Sequence, residues 1–376
     1  MKVVIVNCFD TYENRVDLLV EYFKTSGYDV KVIQSDFRHF EKSKRIEKKE
    51  NYIFINTLPY YKNLSLKRMN SHYQFAKNAF EVVDKLSPDL LYVLIPANSL
   101  AKFAYNYKKK NRNVKLYFDL IDLWPETMPI GKLKTFPPFR NWKLLRDDNL
   151  KGADYIISEC NLYLEVLREK VSGIKVKSLY LAREKKQFVS RPSLSKERIE
   201  LCYLGSINNI IDIDSIKKVL EQINYVKPVV LNIIGDGEKR NEFISEIQKV
   251  GVEVRYYGKI YYSNEKQEIF NRCHFGINMM KSSVCVGLTM KSIDYFEAGL
   301  PILNNIKGDT KELVNKYSIG FNIDDDDIQN VVNKVTRISK ENLLLMRENT
   351  RKIFEELFTK EAFIKEMDCV IKDDFE

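Results

Sequence analysis

The sequence predicts an α/β protein built as two doubly wound domains, each a parallel sheet covered by helices, that face a common cleft. Three observations carry this. The 376 residues exceed what one hydrophobic core usually serves, since a domain takes about 100–200 residues. In both halves short runs rich in Val, Ile, Tyr and Phe alternate with helix-like stretches, the rhythm of strand–helix–strand units. The runs are near-continuously apolar, as parallel strands buried on both faces must be.

In the first half the strand candidates fall at 3–7, 30–34, 52–56, 90–95, 114–119, 154–159 and 176–180. Between the third and fourth, Leu66, Met69, Tyr73, Ala76, Phe80 and Val83 repeat at helical spacing and mark one helix face, which Pro88 ends. Over 184–198 the apolar pattern lapses into a charged stretch with Pro192 and three serines, the expected linker. The rhythm restarts at 201–205, 229–234, 254–258, 275–279, 301–304 and 320–323, and helix-like stretches at about 341–358 and 360–371 close the chain. This gives a first domain over 1–183 and a second over 199–358. Ligands of doubly wound folds bind where strand carboxyl ends meet the crevice.

Composition excludes several classes. With 44% apolar and 30% charged residues the chain is neither disordered nor fibrous. The longest apolar run, 90–97, falls far short of the ~20 residues that span a bilayer. The first residues read as a strand rather than a signal peptide, so a cytoplasmic location is expected. Six scattered cysteines and three histidines, none at ligand spacing, predict neither a disulfide framework nor a protein-held metal. The net charge of +9 is uneven: residues 37–70 carry nine basic and three acidic side chains, 101–115 six and none, 131–151 six and two. These segments lie in the first domain and are interleaved with Tyr60, Tyr61, Phe103, Tyr105, Tyr107, Phe136 and Trp142. Such stretches suit an anionic membrane surface, where each basic residue adds about 1 kcal/mol. A nucleic-acid groove is the competing reading and a solvated lysine surface the plain one; membrane and no nucleic acid is the expectation.

The segment 281–301 holds the chemistry. Gly287 and Leu288 lead into Thr289, a helix N-cap, followed by Lys291 in the first turn; Gly299 caps the far end and Pro301 opens the next strand. A helix N-terminus already carries about half a positive charge, so a lysine there is unfavourable unless an anion lies between them. Asp294 can accept hydrogen bonds from ribose hydroxyls, or simply pair with Lys291 across an i, i+3 spacing.

Lys291, Asp294, Tyr295, Ala298, Gly299 and Pro301 resemble the K-l-x-E-Y-x-A-x-G-x-P donor motif of GT-B-fold glycosyltransferases, in particular the retaining family 4 of bacterial capsule and exopolysaccharide assembly. That family often has two glutamates eight positions apart; here Val286 and Asp294 stand in their places. Leu204-Gly205-Ser206 resembles its Gly-Arg phosphate turn with Ser206 for the arginine. Gly235-Asp236-Gly237 resembles its G-x-G turn, and Tyr257-Gly258-Lys259-Ile260 the stretch whose backbone reads the nucleobase. The resemblance implies two Rossmann-like domains and a donor site of Gly205, Ser206, Gly235, Lys259, Ile260, Gly287, Leu288, Thr289, Lys291 and Asp294, with Lys291 stabilising the leaving diphosphate.

Asp119-Leu120-Ile121-Asp122-Leu123-Trp124-Pro125-Glu126 resembles the D-L-W-P-E segment of family-4 enzymes that extend lipid-linked saccharides, with Ile121 where many have histidine. Asp122 is the candidate proton acceptor; alternatively it caps a turn that Trp124 packs. Arg15, His72, Asp119 and Glu126 are acceptor-side candidates. The resemblance implies transfer from a nucleotide-sugar, a UDP-sugar first, to a lipid-linked saccharide, with retention, at the inner face of the cell membrane. It implies no metal and no cofactor beyond the sugar donor, and a C-terminal helix, 360–376, packing back on the first domain. Two alternatives stay open: a sugar-nucleotide 2-epimerase, and a non-catalytic partner of a glycosyltransferase, which the departures at Val286, Ser206 and Ile121 allow.

Overall fold

A computed structural model describes residues 1–186, 191–324 and 326–375. They form two compact units, one of Met1–Ala182 with Phe363–Glu376 and one of Arg183–Ala362. The expected linker, 184–198, lies at the start of the second unit, and its residues 187–190 lie outside the described residues.

In chain order the first unit contains β1 (Lys2–Asn7), α1 (Glu13–Thr25), β2 (Asp29–Ser35), β3 (Phe37–Arg38), β4 (Ser43–Lys44), β5 (Tyr52–Ile55), α2 (Leu66–Leu86), β6 (Leu90–Ile95), α3 (Asn98–Lys110), β7 (Lys115–Leu120), α4 (Phe139–Asp147), β8 (Tyr155–Ser158), α5 (Asn161–Val166) and β9 (Lys175–Ser178). Seven strands pair in parallel in the order β5-β2-β1-β6-β7-β8-β9. Alternation along each strand splits the core in two. Val4, Val6, Leu91 and Val93 face α2, α3 and α4 through Phe75, Phe80, Leu100 and Trp142. Val3, Ile5, Leu90 and Tyr92 face α1 and the last helix through Leu19, Phe23, Phe363 and Met367.

The second unit contains β10 (Ile199–Leu204), α6 (Ile213–Val226), β11 (Val229–Ile234), α7 (Arg240–Gln248), β12 (Glu253–Gly258), α8 (Ser263–Arg272), β13 (Phe275–Asn278), α9 (Met290–Glu297), β14 (Ile302–Asn304), α10 (Asp309–Tyr317), β15 (Gly320–Asn322), α11 (Ile328–Arg337) and α12 (Lys340–Leu357). Its parallel sheet runs β12-β11-β10-β13-β14-β15. The last helix, α13 (Lys360–Phe375), belongs to the first unit from Phe363 on. There Tyr22 donates to Asp368 (2.9 Å) and Tyr117 to Asp374 (2.6 Å). Both sheets reverse their winding beside their first strand, between β1 and β6 and between β10 and β13, which puts ligand-competent crevices at those carboxyl ends.

All thirteen predicted strands of the two sheets are present, with bounds shifted by at most two residues. The hairpin β3–β4 was not expected; two-residue strands leave no periodic trace. The helix face of α2 also needs correction. Leu66 is 72% exposed and Tyr73 36%, while the buried face runs through Arg68, Ser71, His72, Phe75, Ala76, Ala79, Phe80 and Val83. Apolar periodicity misses it because polar Arg68, Ser71 and His72 occupy inward positions.

A fully buried charged pair in the first sheet joins Arg15 on α1 to Asp119 on β7. Arg15 Nε and Nη2 donate to Asp119 at 2.7 and 2.9 Å, Tyr92 Oη donates to the same carboxylate at 2.7 Å, and Arg15 Nη1 donates to the Leu179 carbonyl at 2.9 Å. Both side chains are essentially inaccessible. The acceptor-side assignment of Arg15 and Asp119 is therefore corrected to a structural one: their polar atoms are spent on each other inside the core. Removing one partner strands the other's charge, at a cost of about 3–5 kcal/mol. Asp119→Ala is expected to lower unfolding stability by about that amount in urea titration, and Arg15→Met with Asp119→Leu to recover much of it.

Candidate functional site

The turn after β10 carries Gly205 and Ser206, the turn after β11 Gly235 and Gly237, and the turn after β12 Gly258, Lys259 and Ile260. Backbone bonds stitch the three together: Gly205 N donates to Ile234 O (2.9 Å), Gly235 N to Gly258 O (2.7 Å), and Ile207 N to Asp236 O (3.0 Å). A Cβ at Gly235 would sit 1.9 Å from Gly205 O, and one at Gly237 2.3 Å from Ile207 O. The G-x-G pattern is thus a close backbone crossing, with Gly235 at φ +143 besides. Ser206 and Lys259 are exposed at the rim of this floor.

On the other side of the switch point, Thr289 caps α9. Its Oγ1 accepts from Ser292 N (3.1 Å) and donates to Asn278 Oδ1 at the end of β13 (3.1 Å). The Gly287 carbonyl, next to Leu288, accepts from Thr310 N (2.9 Å) and Thr310 Oγ1 (2.6 Å), which fixes the loop leading into the helix. Tyr295, fully buried, accepts from Leu204 N (2.8 Å) and lies 3.1 Å from Cys202 O and 3.3 Å from Ile277 O, within donating distance of both. Gly276 leaves room for its ring, which a Cβ would meet at 2.8 Å. The tyrosine of the motif is therefore the peg that sets α9 against β10 and β13.

Lys291 extends from this helix end over the Tyr203 ring, its Nζ 4.7 Å from the centroid. Burial alone pulls its pKa down, to about 8. No carboxylate contacts it among the described residues. In particular, the i, i+3 partnership with Asp294 is not made: Asp294 accepts from Arg183 Nη1 at 2.5 Å, with Glu297 3.9 Å from the same guanidinium. Arg183, which sequence reasoning passed over, closes off the carboxylate expected to receive ribose hydroxyls. Its only sequence signal is its place at the end of the first domain's pattern.

In the first unit the loop after β7 folds around its own acids. Asp122 accepts from Leu123 N (2.8 Å), Trp124 Nε1 (2.6 Å) and Thr127 Oγ1 (2.5 Å), so the turn-capping alternative describes it and both oxygens are engaged. Burial raises its pKa, against those three bonds. Glu126 is held by Arg146 (2.9 and 3.2 Å) and Lys143 (2.8 Å). Arg146 and Asn98 also donate to the Trp124 carbonyl (2.8 and 2.9 Å). The D-L-W-P-E residues thus build the loop, with Asp122 as turn cap and Glu126 as the partner of Arg146 and Lys143 rather than a free acceptor-side group. His72 differs. It is 1% exposed, neither ring nitrogen has a partner among the described residues, and burial holds its pKa well below the ordinary value. Two cavities, about 510 Å³ beside Asp89 and Arg112 and about 260 Å³ beside His274 and Lys340, sit at strand amino ends and include none of these residues.

Residues 184–356 match the family model described as glycosyl transferases group 1. No curated protein matches the chain. Among solved structures it is similar to a sucrose-phosphate synthase from Thermosynechococcus elongatus (15% identity, covering 100% of this chain and 99% of that one, TM-score 0.72). It is likewise similar to the lipopolysaccharide outer core galactosyltransferase WaaB in its apo form (15% identity, 100% of both chains, TM-score 0.68). A third is HepE from Anabaena in complex with UDP-glucose (13% identity, 99% of this chain and 100% of that one, TM-score 0.64). The fold is therefore that of the GT-B glycosyltransferases, with two Rossmann-like domains. Within it the stretch that matches the group 1 model, 184–356, lies in the second unit.

The stitched floor makes a direct prediction. Gly235→Ala must push apart the turns after β10 and β11, so it is expected to destabilise the protein by about 1–3 kcal/mol in urea titration. Wild-type stability would refute the close crossing.

Proposed function

We propose that the protein transfers a sugar from a UDP-sugar to a lipid-linked saccharide at an anionic membrane surface, with retention and without a metal or further cofactor. The observation that carries the reading is Lys291: a desolvated ammonium without a carboxylate, over the N-terminal turn of α9, at the switch point of a sheet whose turns are rigid. Two adjacent positive ends are stable only with an anion between them, and a nucleotide diphosphate is such an anion. HepE, similar in fold, has been solved with UDP and with UDP-glucose.

In this reading the second unit holds the donor. As the bond from the sugar's anomeric carbon to the diphosphate oxygen breaks, negative charge builds on that oxygen, and Lys291 with the helix end stabilises it. The diphosphate then takes the proton of the attacking acceptor hydroxyl on the same face. The first unit presents the acceptor. Phe40, Tyr61, Leu64 and Leu66 are exposed around Lys42, Lys62 and Lys67, apolar groups among cations of the kind that enter an anionic headgroup layer. Among the described residues no helix is long and apolar enough to cross a membrane, so docking is peripheral in this proposal, at the inner face of the cell membrane and in capsule or exopolysaccharide synthesis. The occupied Asp294 favours one second reading, a GT-B-like partner whose donor site is closed.

A melting-curve titration separates the two. At 100 times its Kd a ligand stabilises by about 2.7 kcal/mol, so UDP or a UDP-sugar is expected to raise Tm clearly; silence across UDP, GDP, ADP and CMP conjugates selects the partner reading. Lys291→Ala should lower kcat/KM at least a hundredfold without unfolding the protein, and activity within threefold of wild type would remove the lysine from the chemistry. The pH dependence has a definite sign. A lysine whose pKa is lowered to about 8 loses its charge as pH rises through that value. Hence kcat/KM, which reports the free enzyme, should fall above about pH 8, and Lys291→Arg should remove that limb. Anionic vesicles should bind the protein in low salt and release it in high salt, with Phe40→Ser and Tyr61→Ser weakening binding severalfold; absence of binding at low ionic strength would refute the membrane face.

A further inference from the structure

In the first unit, Arg68 and His72 occupy successive turns of α2 and are both buried, Arg68 at 5% exposure. They sit in an aromatic box. The Arg68 guanidinium lies 4.4 Å from the Trp124 ring centroid, 5.5 Å from Tyr60 and 5.7 Å from Phe9. The His72 ring meets Phe9 and Tyr60 edge-on at 5.0 and 5.6 Å and stacks on Trp124 at 6.1 Å. These walls come from the turn after β1, the loop before α2 and the loop after β7, the carboxyl edge of the sheet.

The polar accounting of the box does not close. Arg68 Nη1 donates to the Asn63 carbonyl (2.8 Å), the Tyr60 hydroxyl is a further partner, and Nε has none. Neither nitrogen of His72 has one. No carboxylate is in contact with Arg68 among the described residues. Asp122 is within electrostatic reach, but its oxygens are taken by Leu123, Trp124 and Thr127; Asp10 is engaged by the His39 N–H. Buried charges are ordinarily paired, and an unsatisfied buried donor costs roughly 1–3 kcal/mol. Arg347, also buried without a carboxylate contact among the described residues and also with an unpartnered Nε, differs in its setting: it donates to two carbonyls, of Cys273 and Phe270, at the end of α8, where a cation is welcome. Arg68 has no such compensation, and Lys42 adds a second cation above it, bonded to Asn63 Oδ1 (2.9 Å) and 4.9 Å from the Tyr60 ring.

We propose that this box is a binding site for the phosphate or diphosphate group of a ligand, held by Arg68 with Lys42 at its entrance and His72 completing the hydrogen bonds, and with the aromatic rings receiving the adjoining carbon skeleton. The phosphate can come from a free diphosphate or from a polyprenyl diphosphate in the membrane; the latter source rests on the acceptor reading above and suits the exposed Phe40, Tyr61, Leu64 and Leu66 beside the box.

The chain supplies its own reporter. Its two tryptophans, Trp124 and Trp142, are rings of this same cluster, 5.4 Å apart. Tryptophan fluorescence of the full chain, titrated with inorganic diphosphate, farnesyl diphosphate and farnesol, therefore reads this site and not the second unit. The expected result is a saturable change with both phosphates, little with farnesol, at least tenfold weaker binding in Arg68→Met and less than threefold weaker in Arg68→Lys. Tighter binding of farnesyl diphosphate than of inorganic diphosphate assigns the lipid-borne source; equal binding assigns the free one. No change with either phosphate, farnesol as effective as its diphosphate, or Arg68→Met within twofold of wild type would overturn the site. Should Arg68→Met fail to fold, surface Lys42→Met carries the test, with at least threefold weaker diphosphate binding expected. Because the readout needs no sugar transfer, its failure is distinct from the UDP melting result.

Discussion

A parallel strand covered on both faces has no place for an unpaired charge, and both sheets of this protein are built under that constraint. The first tolerates Arg15 and Asp119 only because each saturates the other, with Tyr92 and a main-chain carbonyl completing the set. The second buries Glu200 at the amino end of β10 against Arg198 and within reach of Asn232. Ionic chemistry is thereby driven out of the sheets to their carboxyl edges. There the reversal of winding opens loops that need not pair with a neighbouring strand.

At that edge the second unit is rigid for identifiable reasons. Gly235 and Gly237 let the turns after β10 and β11 touch backbone to backbone, and Tyr295 fastens α9 to β10, from which the first of those turns emerges, and to β13. The direction of α9, and with it the position of Lys291, follows from strand register rather than from loop flexibility. A cation fixed in this way is oriented before any ligand arrives, so an anion that meets it incurs no reorganisation of the site.

Strands were legible in the sequence because burial on both faces demands apolar runs, and these are hard to mistake. So were Thr289 as N-cap and Gly299 as the glycine that ends α9, though it stands in the left-handed position one residue beyond the C-cap, Ala298. Partners brought together by the fold were not. Nothing in the sequence around Asp294 announces Arg183, 111 residues away, and nothing around Asp119 announces Arg15, 104 residues away. The D-L-W-P-E loop shows the limit most plainly. Three acids at a strand's end read as available chemistry, yet Asp119 lies within β7 bonded to Arg15, Asp122 accepts from Trp124 and Thr127, and Glu126 from Arg146. The face of α2 was misjudged for a related reason: a helix that buries Arg68 and His72 does not advertise the burial by hydrophobicity.

The same commitments decide where charge remains to act. Asp122 is within electrostatic reach of Arg68, but the turn it caps engages both its oxygens, and no carboxylate contacts the arginine among the described residues. Asp294 stands three residues from Lys291, and Arg183 withdraws it in the same manner. In each unit a carboxylate that could have neutralised a cation is bonded elsewhere, and in each the cation left over lies at the carboxyl edge of the sheet. Folding alone gains nothing from that arrangement, since uncompensated buried cations destabilise the native state. It becomes favourable when an anion from outside the chain supplies the missing charge, and the two positions differ in what else they offer such an anion. Lys291 lies over one ring, Tyr203, at a helix end, whereas Arg68 lies among several, with apolar surface for whatever a phosphate carries.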